Sequence, residues 1–262
     1  MLICDGHAHI YPCFDLELSL QCLLDNLQSL APMESPKPMI LACLAERAAT
    51  PLFYGGDFPM RAGQFEIQPG PEPSALTVRR AGETVLFLVL GRQYAAAERL
   101  EVLGLALPEA GDWDGLPARE IIRCIRQAGG LPVLPWALGK WLFKRGRLAA
   151  ELVSESRPGE LWLGDTALRP NIWPLPGLLR RAAAAGLPWL SGSDPMPWAG
   201  EERRLGSYGF VGEIVGDKNR PVTALRALLA QPSGALQTVG QRVGACSAAG
   251  RIVRNYFRLA FT

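Results

Sequence analysis

The chain of 262 residues contains two histidines, and both stand in the string Leu2-Ile3-Cys4-Asp5-Gly6-His7-Ala8-His9. Residues two apart on an extended segment leave it on the same side. Asp5, His7 and His9 are therefore expected to present a carboxylate and two imidazoles together at the end of a buried strand. Neutral imidazole is the commonest ligand for divalent transition metals, and carboxylates complete such sites. A metal held there lowers the pKa of its water to near 7, which makes a nucleophile at neutral pH. The chemistry spelled by this spacing is metal-dependent catalysis.

No further histidine is available, so carboxylates from distant strands must finish the site. In parallel α/β architectures functional residues gather at the carboxyl ends of strands. Gly164-Asp165-Thr166 follows the apolar run Leu161-Trp162-Leu163, and Ser191-Gly192-Ser193-Asp194-Pro195 follows Trp189-Leu190. Asp165 and Asp194 are the expected additional ligands. Both also sit in sequences suited to turns and helix caps. Two histidines, one or two aspartates and a water meet the requirement of tetrahedral Zn²⁺, while more oxygen ligands favour Mn²⁺ or Mg²⁺.

Candidates for holding a substrate are fewer. Trp136-Ala137-Leu138-Gly139-Lys140-Trp141 reads as a turn leading into a helix. A lysine there opposes the helix dipole, so Lys140 is placed as if for an anion, with Trp136 beside it. Arg203 and Arg204, in Gly200-Glu201-Glu202-Arg203-Arg204, could grip phosphate or carboxylate with two hydrogen bonds. A solvated charged face is the plainer reading of that run. No Gly-x-Ser-x-Gly elbow, P-loop or dinucleotide fingerprint follows a strand. Among the six cysteines there is no Cys-x-x-Cys, so buried free thiols are expected.

The elements that must position these residues repeat one rhythm of apolar strand, turn and amphipathic helix. Helices are expected near 14–30, 117–128, 140–154 and 174–185, and strands at 2–5, 39–44, 100–105, 131–136, 161–163 and 187–190. Strands alternating with helices favour a parallel sheet. The stretch near 50–95 breaks the rhythm and reads as an inserted antiparallel β-meander, with runs near 63–68, 75–80 and 84–90. From about 221 to 262 the chain reads as a helical tail.

Nearly half the residues are apolar, a fifth are charged, and the net charge is +2. That balance gives no reason to expect nucleic acid or a membrane surface as partner. No run approaches the roughly 20 apolar residues of a membrane span, and the first residues lack the basic region of a signal peptide. A cytoplasmic protein with a small-molecule substrate, anionic in character, is the expectation. Oligomeric state has no signature here.

Asp5-Gly6-His7-Ala8-His9 after a first strand, with Gly192-Ser193-Asp194 after a late one, resembles the amidohydrolase superfamily and its relatives, the PHP-type phosphoesterases and TatD-like hydrolases. The resemblance covers about a dozen residues at two places, together with the strand–helix rhythm. It implies an α/β fold, a single distorted TIM-type barrel of seven or eight βα units spanning 1–262. It further implies one to three divalent metals, with His7 and His9 as ligands and Asp194 as ligand or base, while Asp5 supports the histidines from the strand end. The expected activity is hydrolysis of an amide, ester or phosphoester. Such families supply more histidines from later strands, and this chain has none. The alternative expectation is therefore a catalytically degenerate barrel that binds a small anionic ligand or a partner protein.

Overall fold

Burial is continuous along the first strand, β1 (Leu2–Ala8), as expected of a strand covered on both faces. In the computed structural model, residues 1–32, 37–54, 58–137, 139–214 and 217–260 are described, with 233 and 256–260 described by backbone alone. The expected segment 50–95 and the tail to 262 each include a few positions outside that description. Helix α1 (Leu16–Leu30) begins at Asp15, whose carboxylate accepts from the Leu18 amide at 2.8 Å. This N-cap satisfies a donor the helix cannot. Leu20, Leu23, Leu24 and Leu27, at helical spacing, form its buried face.

The remaining elements follow in order: β2 (Met39–Leu44), β3 (Glu46–Arg47), β4 (Arg61–Ala62), β5 (Phe65–Pro69), β6 (Ala75–Arg80), β7 (Glu83–Val89), β8 (Gly91–Ala95) and β9 (Glu101–Leu105). Then come α2 (Ala118–Gln127), β10 (Leu131–Pro135), α3 (Phe143–Glu155), β11 (Trp162–Thr166), α4 (Gly177–Ala184) and β12 (Trp189–Gly192). The chain ends with β13 (Tyr208–Gly212), α5 (Pro221–Leu229), β14 (Gln237–Gly240) and α6 (Ala245–Ala260).

The strands form two sheets, ordered β14-β13-β1-β2-β7-β6-β5-β4 and β12-β11-β10-β9-β8-β3. The chain crosses from the first to the second where β2 runs on into β3 and β7 into β8. Their inner faces share one core. Leu2, Cys4, Leu41, Phe87 and Phe210 meet Leu103, Val133, Trp162 and Leu190, and α5 contributes Leu225 and Leu228. The outer face of the first sheet packs Ile3, Ala42, Leu44, Ile67 and Val78 on α1. Helices α2 and α3 cover the outer face of the second, and α4 covers Leu163.

This α/β arrangement differs from a regular parallel barrel. Among the described residues parallel pairing is confined to β1–β2, β2–β7, β3–β8, β10–β11 and β11–β12. Strands β8, β9 and β10 pair antiparallel, as do β1, β13 and β14. No closed ring of paired strands is found among the described residues. The link from β8 to β9 is too short for the crossover of a dozen or more residues that parallel neighbours need. The antiparallel strands expected near 63–90 are present, and they are built into the larger sheet. β7 lies between β2 and β6 within the larger sheet, and Phe65, Ile67, Val78 and Leu86 join the core beneath α1. The tail is likewise not wholly helical, since β14 intervenes and pairs with β13. No helix among the described residues is long and apolar enough to cross a membrane.

Candidate metal centre

Strand β1 holds one residue more than β2 between the pairs Asp5–Ala42 and Ala8–Leu44. Such a bulge reverses the alternation of faces beyond it. Ahead of it Leu2 and Cys4 face the core between the sheets and Ile3 faces α1, whereas after it Ala8 joins Ile3. The expected trio is thereby split. His7 and His9 leave the strand on the inter-sheet side, and Asp5 leaves it on the other. Gly6 lies within the bulge, and a glycine inside a strand is a usual mark of one.

Asp5 is fully buried and occupied by hydrogen bonds rather than placed as a ligand. Its Oδ1 accepts from the amides of His7 (3.1 Å) and Ser193 (2.9 Å). Its Oδ2 accepts from the Ser193 hydroxyl (2.5 Å) and the Gly206 amide (2.9 Å). Burial pushes its pKa up, against the pull of those four donors. It ties the end of β1 to the loop that carries Asp194.

That loop presses against β1. A Cβ on Gly192 would lie 2.3 Å from the His7 nitrogen, so only glycine lets β12 come this close. The Asp194 amide donates to the His7 carbonyl at 2.9 Å. Asp194 itself has φ of 45°, a left-handed conformation that aspartate adopts more readily than most residues. Its Oδ2 accepts from the Thr166 hydroxyl at 3.2 Å. Its Oδ1 lies 3.6 Å from His9 Nε2 and 3.8 Å from His7 Nε2, and the two Nε2 atoms are 3.0 Å apart.

These three atoms fit a single small cation. Ligand bonds of 2.0–2.2 Å at tetrahedral angles put donors about 3.4 Å apart. The triangle brackets that value on its three edges. His9 is suited to the role, because burial, the neighbouring His7 and the Arg47 charge hold its pKa well below the ordinary 6.5. Its ring is therefore neutral at pH 7, with hydrogen bonds to the Ala45 main chain and the Gln93 side chain and Tyr11 stacked on it at 5.2 Å. Contacts of this sort fix the orientation of a ligating imidazole.

Asp165 does not join the group, which corrects its expected role as a ligand. Its two oxygens each take a 2.7 Å hydrogen bond from Arg169, and Tyr208 donates to it at 2.8 Å. Adjacent residues leave a strand on opposite faces. Thr166 takes the face toward Asp194, so Asp165 points to a separate cleft shared with Arg169 and Tyr208. Buried there, a carboxylate requires a charged partner, and Arg169 supplies it.

A cavity of about 200 Å³ opens beside His9 and Asp194. Of the expected substrate contacts, only Lys140 lines it, ion-paired with Glu101. Arg203 and Arg204 lie elsewhere, on a 3-10 turn held to α1 by Asn26, which donates to the Arg203 carbonyl at 3.1 Å. Arg204 is 3.7 Å from Glu201. Trp136 is buried and packs edge-on against Trp173 at 6.3 Å, in a neighbouring groove. The cavity walls include residues that the motifs did not reveal: Tyr11, Arg47, Gln93, Glu101, Thr166 and, from α6, Ile252 and Asn255. Arg47 and Thr166 are the last residues of β3 and β11 and were open to the strand-end rule, whereas Gln93 and Asn255 carry no local signal.

No protein-family profile and no curated protein matches the chain. Among solved structures its fold is similar to that of PsfC from Pseudomonas syringae PB-5123, with a TM-score of 0.55, 14% identity, and 100% of this chain and 99% of that one covered. It is also similar to a two-domain protein from Bacteroides vulgatus ATCC 8482 that contains a predicted PHP-like metal-dependent phosphoesterase. There the TM-score is 0.51 at 11% identity, over 97% of this chain and 69% of that one. The fold is distantly PHP-like.

Proposed function

We propose that the chain is a metal-dependent hydrolase that cleaves an ester, phosphoester or amide of an anionic small molecule. The observation that carries this reading is the convergence of His7 Nε2, His9 Nε2 and Asp194 Oδ1 within 4.8 Å of one another at the edge of a cavity. A PHP-like fold around that donor set supports it. Two nitrogens and one oxygen suit Zn²⁺, with Mn²⁺ or Mg²⁺ favoured if oxygen ligands are added. A divalent cation in this place supplies Lewis acidity and a water made nucleophilic near neutral pH.

The chain's own groups do the rest. His7 and His9 would hold the cation, and His9, its pKa pushed well down by burial, meets it as a neutral imidazole. Asp194 turns Oδ1 to the imidazoles and keeps Oδ2 on Thr166, which leaves the carboxylate positioned to take up a proton. Arg47 is exposed at the cavity and makes no ion pair among the described residues, so it can hold the anionic part of a substrate. Lys140 adds to it, moderated by Glu101.

Elemental analysis of protein purified without chelator tests the assignment. About one divalent ion per chain is expected, lost in His7→Ala, His9→Ala and Asp194→Ala, together with activity on a panel of esters and phosphoesters. An unmutated protein that binds no Zn²⁺, Mn²⁺ or Mg²⁺ would overturn it. A second reading has its own support, because 3.0 Å between the Nε2 atoms is also the length of a hydrogen bond from one imidazole to the other. On that reading the site is catalytically silent and binds an anion or a partner. Metal-free protein that still binds phosphate near Arg47 would favour it.

A further inference from the structure

Beside the cavity runs a larger groove, about 740 Å³, lined by Trp136, Trp141, Leu142, Phe143, Trp173 and Leu175. Its volume and aromatic walls are those of a ligand site rather than of a packing defect. Leu142, Phe143 and Trp173 are among the few large apolar residues the described chain exposes, Phe143 at 85%. Phe143 also has φ of 54°, an unfavourable conformation for a bulky residue, so the start of α3 keeps an aromatic ring in solvent at a cost. Apolar surface gathered in this way marks a binding face.

Two features say what kind of molecule fits. The groove's charged lining residues are Arg147, Arg180 and Arg181, with no Asp or Glu among the described residues. That favours an anion over a cation. The second feature is topological. The loop from β10 to α3 supplies Ala137 and Lys140 to the cavity and Trp136, Gly139 and Trp141 to the groove, with Ala137 a wall of both. The loop from β11 to α4 does the same, giving Leu168 to the cavity and Trp173 through Pro176 to the groove. The cavity and the groove are thus neighbours across Ala137.

We infer that the groove seats the aryl or acyl part of an anionic ester substrate whose charged end lies beside Arg47, Lys140 and the His7–His9–Asp194 group. The inference rests on the hydrolase reading for where the charged end goes. It adds the substrate class: an amphipathic monoester, not a small polar phosphate or a sugar phosphate.

Tryptophan fluorescence reports on the groove directly, since Trp136, Trp141 and Trp173 line it. The probes are monoalkyl phosphates from butyl to decyl and naphthyl phosphate, titrated into full-length protein with and without Zn²⁺. Each methylene that enters the groove should tighten binding by up to about fourfold. Phe143→Glu and Leu142→Glu, both at exposed positions, should abolish the dependence on chain length and leave Zn²⁺ and inorganic phosphate binding unchanged. Affinity independent of chain length would overturn the inference, as would a dependence that survives both substitutions. So would sedimentation showing that the wild type is a dimer which either substitution splits, since a second copy would then cover the groove. The Zn²⁺ titration of the same samples reads the hydrolase assignment separately: chain-length dependence without metal binding sinks that assignment and leaves the groove in place.

Discussion

The His7 amide donates to Asp5 Oδ1 at 3.1 Å while the two side chains point to opposite faces of the same sheet. The carboxylate thus holds the main chain that carries the two imidazoles without joining their donor atoms. Asp5→Asn should cost about 3 kcal/mol of stability, because the amide meets with its own N–H groups some of the four donors that the carboxylate satisfies. Urea denaturation measures it. A loss of metal stoichiometry with unchanged stability would instead make Asp5 a ligand.

Asp165 and Asp194 should separate cleanly. Asp165→Asn leaves the buried Arg169 guanidinium uncompensated, a loss of about 3–5 kcal/mol. It should leave bound metal unchanged under native conditions, whereas Asp194→Asn should lower metal affinity with a small effect on stability. Parallel metal titrations and denaturation curves of the two variants check this.

Gly192→Ala probes the contact between β12 and β1. The new methyl meets the His7 backbone and Cβ at 2.3 and 2.5 Å, so one strand must move. A cost of about 1–3 kcal/mol is expected, with weakened metal binding because Asp194 moves with the strand. An alanine variant with wild-type metal affinity would show that the donor triangle does not depend on this approach.

Glu46 gives a pH signature outside the donor triangle. It is buried on β3 and accepts from the amides of Leu52, Phe53 and Tyr54, yet burial outweighs them and raises its pKa above 4.5. A carboxyl with a raised folded pKa contributes stability that is complete below its unfolded pKa and is lost as pH rises through the folded one. The stability of the wild type relative to Glu46→Gln should therefore decline as pH rises from about 4. A difference that grows with pH would mean that the three amides dominate.

Much of this was readable in the chain. The leucines of α1 and the apolar runs of β1, β9, β10 and β11 set their elements by periodicity. His7 and His9 belong together because both leave the strand on the face opposite Ala8, so their spacing of two survives the bulge. Asp5 does not, because a single extra residue between it and Ala8 turns it to the other face and only Gly6 hints at that. At the end of β11 two polar residues stand side by side, and the choice of Thr166 over Asp165 is one of register, which residue type does not record. The antiparallel pairing of β8 to β10 came from loop length more than from pattern. The cavity walls contributed by Gln93 and Asn255 depend on tertiary packing alone.

The lock on Asp5 is completed by donors 188 and 201 positions further along the chain. At roughly 5–20 residues per second of synthesis, the imidazoles leave the ribosome on the order of 10 to 40 seconds before that lock can close. Through that interval His7 and His9 stand on a nascent chain without the contacts that later fix their segment. The donor triangle can form only when Asp194 arrives, so the order of translation makes the histidines the first part of the site and the aspartate the last.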